Sequence, residues 1–239
     1  MKKIKYFALL LVLPFLASAQ FKLDNVLKDA KNVASGKKSL SNDEIISGLK
    51  EALSVGTNNS TASASKVDGY LKNPKIKIPF PKEAEQMEST LRNLGMNKQV
   101  DDFVTSMNRA AEEAAKDAAP VFLNAVKNMT ITDGVSILKG NDTAATGYLR
   151  KQTTADLTVK FIPIIKAALE KVEVTKYWEP LVTRYNQVPF VTKQNPKLDE
   201  YVNAKALDGL FYLISQEELK IRKNPEARVT DLLKKVFGQ

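Results

Sequence analysis

The stretch Val100-Asp101-Asp102-Phe103-Val104-Thr105-Ser106-Met107-Asn108-Arg109-Ala110-Ala111-Glu112-Glu113-Ala114 decides the fold. Val100, Phe103, Val104, Met107, Ala111 and Ala114 recur at three- and four-residue steps, which is the period of an α-helix with one face buried. The same spacing continues on both sides. Upstream, Ala84, Met87, Leu91 and Leu94 form a shorter stripe that stops at Gly95. Downstream, Pro120 fits the first turn of a helix carrying Val121, Phe122, Ala125, Val126 and Met129. Thr132 is expected to cap a short helix that ends at Gly140.

Further along, Asp156 opens a run with Leu157, Phe161, Ile164, Ile165, Ala168, Leu169 and Val172 on helical spacing, and Pro163 inside it predicts a kink. Leu198, Tyr201, Val202, Leu210, Leu213 and Ile214 give another helix. Ser215 and Glu218 read as a capping box that starts a new one. After Pro225, the positions Val229, Leu232, Leu233, Val236 and Phe237 make a last stripe, and 188–196 reads as irregular. Nearer the N-terminus, Ser41 and Glu44 form a capping box with Leu40 and Ile45 as its hydrophobic staple. Ile45, Ile46, Leu49 and Leu53 follow on one face. The Asn/Ser/Thr run 57–63 holds poor helix formers and is expected to fray. Residues 70–81 contain Pro74, Pro79 and Pro81 and alternate at Lys75 to Ile78, so an ordered extended crossing, with room for a short strand, is expected there. No Gly/Ser linker divides the chain. The expectation is an all-α single domain of about eight to ten helices over 40–239.

Two segments precede that domain. Lys2, Lys3 and Lys5 lead an apolar run from Phe7 to Ala17, and Ala17-Ser18-Ala19 puts small residues where a signal peptidase reads. The run is too short for the roughly 20 residues of a membrane span, and no cysteine stands at the cleavage point for a lipid anchor. Residues 1–19 are therefore expected to be a signal peptide. The mature protein is expected to be exported to the periplasm, with no transmembrane span. Leu23, Val26, Leu27, Ala30, Val33 and Ala34 predict an amphipathic helix and linker over 20–39. Losing residues 1–19 turns 36 basic residues into 33 against 27 acids, so the net charge falls from +9 to +6. That excess is spread in single pairs such as Lys37-Lys38 and Lys234-Lys235, and it carries no basic stripe with interleaved aromatics. Nucleic acid is not an expected partner.

What is missing restricts the chemistry. The chain has no cysteine and no histidine. Disulfides, Ser-His-Asp and Cys-His nucleophiles, and His- or Cys-ligated zinc or haem are all excluded by residue content. Carboxylates, Ser-Lys pairs, tyrosines and oxygen-ligated cations remain. The acid pairs Asp101-Asp102, Glu112-Glu113 and Glu217-Glu218 are sequence neighbours, which point about 100° apart on a helix and do not make a dyad. Ser106 lacks the Ser-x-x-Lys spacing. No cofactor is expected, and an enzyme is the less expected class.

Four runs carry a resemblance: Ser106-Met107-Asn108-Arg109-Ala110-Ala111-Glu112; Gly140-Asn141-Asp142-Thr143-Ala144-Ala145-Thr146 leading to Tyr148; Asp208-Gly209-Leu210-Phe211; and Ile221-Arg222-Lys223-Asn224-Pro225-Glu226-Ala227-Arg228-Val229-Thr230. In this order they resemble a bacterial family of exported proteins catalogued as domain of unknown function 4197, over about residue 40 to Phe237. The resemblance implies a one-domain helical envelope protein and brings no activity with it.

These runs supply the candidate polar hub: Asn108, Arg109, Glu112, Asp142, Thr143, Asp208, Arg222 and Arg228. Helical rotation puts Arg109 opposite the apolar face, where it either pairs with Glu113 in solvent or is covered by another element and serves as a hub. Asn141-Asp142-Thr143 lacks the Asp-x-Asp-x-Asp-Gly frame of a cation loop, so a helix cap at Asp142 or Thr143 is the better reading. Tyr177, Trp178, Tyr185, Phe190, Tyr201, Phe211 and Tyr212 either pack a core or line an apolar pocket. The leading expectation is a non-enzymatic binding or scaffolding module of the cell envelope, acting on an envelope protein or an apolar ligand. A carrier of an apolar ligand or lipid between helices is the alternative, and a hydrolase working with acids alone is a third reading.

Overall fold

The apolar stripes among the described residues become helices that bury them, except at 84–94, where Met87 and Leu91 are half-buried and Leu94 is exposed. The computed structural model describes residues 41–171, 178–187 and 197–224, together with 189, 193, 226 and 234. In chain order the helices are α1 (Asn42–Ser65), α2 (Glu85–Asn93) after a 3-10 turn at Lys82–Ala84, α3 (Asn97–Ala115), α4 (Ala118–Lys127), α5 (Ile131–Lys139), α6 (Ala144–Leu169), α7 (Trp178–Tyr185) and α8 (Leu198–Lys223). Among the described residues there is no β-strand. The signal peptide expected over 1–19, the helix expected over 20–39, Leu40, Val172, Tyr177, Phe190, Arg228 and the stripe expected from Val229 to Phe237 lie outside the described residues, as does most of 188–196.

All of these helices belong to the compact unit Asn42–Gln239. The long helix α6 is its centre, packed on α3, α4 and α8, while α1 lies against α8 and α4. Met107, Phe122, Leu149, Leu157, Phe161, Ile165, Leu210 and Phe211 meet between these helices, each at most 1% exposed. Phe211 sets its edge on Phe122 with centroids 5.8 Å apart. Trp178 lies stacked on Phe103 and edge-on to Phe80. The C-terminal aromatics within view thus serve mainly as core, the use that gives a large ring the most buried area.

Local signals placed several boundaries correctly. Helix α1 begins at Asn42, directly after Ser41. Gly95 takes φ +82 beyond the end of α2, a conformation that costs a side chain and suits glycine. Pro120 sits in the first turn of α4.

Other expectations need correction. The run 57–63 does not fray: α1 continues to Ser65. Thr57, Ser60 and Thr61 are buried, and their hydroxyls donate to the carbonyls of Leu53, Gly56 and Thr57, four residues back, at 2.8, 2.7 and 2.9 Å. Small side chains that satisfy themselves this way let α8 approach closely, and tertiary packing outweighs weak propensity. The cap of α5 is Thr130, not Thr132. Its hydroxyl accepts from the Asp133 N–H at 3.1 Å, and the Asp133 carboxylate accepts from the Thr130 N–H at 3.0 Å. Thr130→Ala is expected to cost about 1 kcal/mol, whereas Thr132→Ala should stay within about 0.5 kcal/mol of wild type. Equal thermal midpoints for the two variants would contradict this placement.

Ser215 and Glu218 do not start a helix, because both lie inside α8. Ser215 donates to the carbonyl of Tyr212, three residues back. The helix expected from Asp156 begins at Ala144 and passes through Pro163 as one element. The crossing at 70–81 is a series of turns followed by extended chain, without a short strand. Its pairing partner is a side chain.

Candidate functional site

The polar residues of α3 face the crossing loop that follows α1. Asn108 is fully buried. Its Oδ1 accepts from the Ile78 N–H at 2.8 Å and its Nδ2 donates to the Ile78 carbonyl at 2.8 Å, and also to Val104 one turn back. One side-chain amide therefore replaces a neighbouring strand, which is why the segment is extended without belonging to a sheet. Glu112 stands one turn further on. Its Oε1 accepts from the N–H groups of Tyr70 and Leu71, both at 3.1 Å. Its Oε2 accepts from Arg109 at 2.6 Å.

Arg109 is 38% exposed at its side chain and bridges outward to Asp68 at 2.6 Å. It does not pair with Glu113, which binds Lys116 instead. Asp68 takes φ +67, a left-handed position that aspartate tolerates better than most residues. Hydrogen bonds from Lys72 and then Arg109 hold its carboxyl below the usual range. A depressed carboxyl contributes stability above its unfolded-state pKa and loses that contribution as pH falls through the folded value. Acid should therefore loosen this end of the loop first. Glu112 and then Asp68 raise the Arg109 pKa in turn. Tyr70 is fully buried, and burial, followed by the nearby Glu112 charge, pushes its phenol up. The phenol donates to the Ala206 carbonyl of α8 at 2.6 Å.

Gly209 of the third recognised run explains that last contact. A Cβ there would lie 2.7 Å from Cε1 of Tyr70 and 3.1 Å from Cβ of Ile76. The ring is held at its hydroxyl and cannot step aside. Gly209→Ala is expected to lower stability by about 1–3 kcal/mol despite alanine's better helix propensity, read as a fall in thermal midpoint. An unchanged midpoint would show that the loop has slack at this point.

A second cluster joins α8 to the start of α6. Glu218 is buried, its Oε1 accepting from the Ala145 N–H at 3.0 Å and its Oε2 from the Thr146 N–H at 2.9 Å. The Thr146 hydroxyl adds a bond at 2.8 Å. These are first-turn donors of α6, so Glu218 caps a helix that is not its own and adds negative charge at its positive end. Arg222, 13% exposed at its side chain, binds the same carboxylate at 2.8 Å and donates to the Ile137 carbonyl of α5 at 2.9 Å. The expected cap at Asp142 or Thr143 falls on Thr143 by position. Its side chain, however, makes no capping bond and donates to Asn141. Asp142 pairs with Lys223 on the surface.

The seven candidate residues among the described ones do not form one hub, and Arg228 lies outside the described residues. Asn108, Arg109 and Glu112 gather at the crossing loop. Arg222 and Asp142 sit near the start of α6. Asp208 stands apart in a surface pair with Arg150, whose guanidinium lies 4.4 Å from the Phe211 ring. Sequence reasoning missed Glu218 as a cap of α6, along with Asp68 and Tyr70. The available signal was position: Leu207, Phe211, Ile214, Glu218 and Ile221 share one face of α8, so Glu218 occupies an apolar place.

These arrangements do little chemistry. Each buried carboxylate already receives two backbone N–H groups and an arginine. The buried hydroxyls of Thr57, Ser60, Thr61, Ser106 and Thr153 donate to carbonyls of their own helices. Among the described residues no group of His, Cys, Asp or Glu is placed to hold a metal ion, and no helix is long and apolar enough to cross a membrane. The apolar crevice between α1 and α8, beside Leu53 and Ile214, holds about 20 Å³, room for one water and far from that of a lipid chain.

A family model described as "Protein of unknown function (DUF4197)" matches residues 39–238. No curated protein and no solved structure matches the chain.

Proposed function

Because the chain belongs to the DUF4197 family of proteins of unknown function, which brings no reaction with it, we propose that it is an exported, non-enzymatic binding or scaffolding module. One observation carries the reading. The residues a catalyst would draw on, Glu112, Glu218, Arg109, Arg222 and Asn108, are committed to backbone groups and to one another. A carboxylate that accepts two N–H groups and a guanidinium has its oxygens turned to the protein rather than to a substrate. Such bonds hold loops and helix ends, which is what a rigid binding scaffold needs.

Export rests on the N-terminal pattern of Lys2, Lys3 and Lys5, the apolar run and Ala17-Ser18-Ala19. Periplasmic residence is the destination consistent with it. Intact-mass measurement of the protein from producing cells tests this part, with a mature chain starting at Gln20 expected and a chain retaining Met1 contradicting it. The non-enzymatic part is tested by a panel of ester, peptide, glycoside and phosphate substrates. No turnover above background is expected. Reproducible turnover lost in Glu112→Gln, Glu218→Gln or Arg109→Lys, with the fold intact, would overturn it.

A further inference from the structure

Among the described residues one cleft joins an open volume, an unbalanced charge and an unsatisfied polar atom. It lies between the C-terminal end of α6 and the first turns of α7 and α8, and its volume is about 570 Å³. That falls in the range of about 300–1,000 Å³ typical of ligand sites. Its floor is apolar, with Leu169, Trp178 and Leu198 each buried.

Its rim carries four carboxylates, Glu170, Glu179, Asp199 and Glu200, against Lys166 and Lys197. Four acids against two bases leave a local charge of −2 in a chain whose net charge is +9. Lys197 is already engaged: it donates to Glu200 at 2.9 Å, and Glu200, Asp199 and Glu179 together raise its pKa.

The unsatisfied atoms are the second observation. Among the described residues, two buried side-chain polar atoms have no hydrogen-bond partner: Trp178 Nε1 and Asn203 Oδ1. Trp178 lines the cleft. Buried polar groups are nearly always paired, so an indole N–H left over on a residue that lines the cleft points to a ligand that supplies an acceptor.

We propose, building on the binding-module reading, that this cleft takes a basic peptide segment of a partner protein. A backbone carbonyl supplies the acceptor for the Trp178 indole, apolar side chains meet the Leu169–Trp178–Leu198 floor, and lysine or arginine side chains meet the carboxylate rim. Other chemistries fit less well. Phosphate-bearing ligands are repelled by the rim. A polyamine brings cations but no carbonyl for the indole. A metal ion finds no ligand cluster.

Trp178 is the only tryptophan in the chain, so its emission reports on the cleft. The probe is the capped peptide acetyl-Leu-Lys-Leu-Lys-Leu-Lys-amide, titrated into the mature protein and followed by Trp178 fluorescence and calorimetry. Saturable binding is expected. Replacing its lysines by glutamates should weaken binding at least about ten-fold, as should E170Q/E179Q, two exposed positions whose loss leaves the thermal midpoint in place. The inference falls if the lysine peptide shows no saturable signal into the millimolar range. Equal binding of the glutamate peptide, unchanged binding by E170Q/E179Q, or equally tight binding of spermidine also overturns it. Self-association that excludes the peptide would assign the cleft to a second copy and overturn it too. A silent substrate panel alongside a failed titration removes only this cleft, whereas turnover on the panel removes the binding-module reading itself.

Discussion

Replacing Glu218 with alanine is expected to cost about 3–5 kcal/mol, the range for breaking a buried ion pair by removing one partner. Three losses combine. The N–H groups of Ala145 and Thr146 lose their acceptor at the first turn of α6. The Arg222 guanidinium keeps only the Ile137 carbonyl among the bonds described above while remaining largely covered. The negative charge at the positive end of the 26-residue helix disappears. Glu218→Gln retains an acceptor and a similar shape and should lose less. Equilibrium denaturation by guanidinium separates these cases. An alanine variant within about 1 kcal/mol of wild type would show that the α6 terminus does not depend on this carboxylate.

Asn108→Ala carries the second large effect, about 2–4 kcal/mol. The Ile78 N–H and C=O would both remain buried without a partner, and each such group costs about 1–3 kcal/mol. Asn108→Asp distinguishes a lost network from a mere cavity. It keeps the acceptor for the Ile78 N–H but removes the donor to the Ile78 and Val104 carbonyls, and it brings a charge into a fully buried place. Aspartate should therefore be at least as damaging as alanine near neutral pH. An aspartate variant that matches wild type would mean that water reaches the site and the crossing loop is not pinned there.

The helices were legible because burying an apolar stripe is a local fact about spacing. Val100, Phe103 and Met107 predict α3 without knowledge of what covers them. Boundaries were less legible where a distant group does the capping. The start of α6 was announced by position at Asp142-Thr143, but nothing near Ala144 reveals that the group bonding its first-turn N–H groups is Glu218 on another helix. The run from Thr57 to Thr61 reads as weak helix from propensity alone, and only the close approach of α8 explains why small hydroxyl residues are preferred there. The candidate residues were found as parts of runs, but their assignment to two separate clusters and a surface pair depends on which segments cross, and that is long-range information. Arg109 stood out by rotation, yet the more deeply buried members of its cluster are Asn108 and Glu112 at the edge of the apolar stripe. Spacing could have flagged those two, since they are four residues apart and share a face.

The buried side chains of Asn108, Glu112 and Glu218 are committed to backbone groups of distant segments. Amide hydrogen exchange read residue by residue tests this claim most directly. The N–H groups of Tyr70, Leu71, Ile78, Ala145 and Thr146 are bonded to side chains rather than to backbone carbonyls. Ordinary loop and helix-end amides exchange through the lowest-energy openings, whereas these five are expected to be protected to the level of the core amides of α3 and α6. Glu112→Gln should release Tyr70 and Leu71 selectively. Exchange of all five at the rate of an open loop in the wild-type protein would contradict the claim.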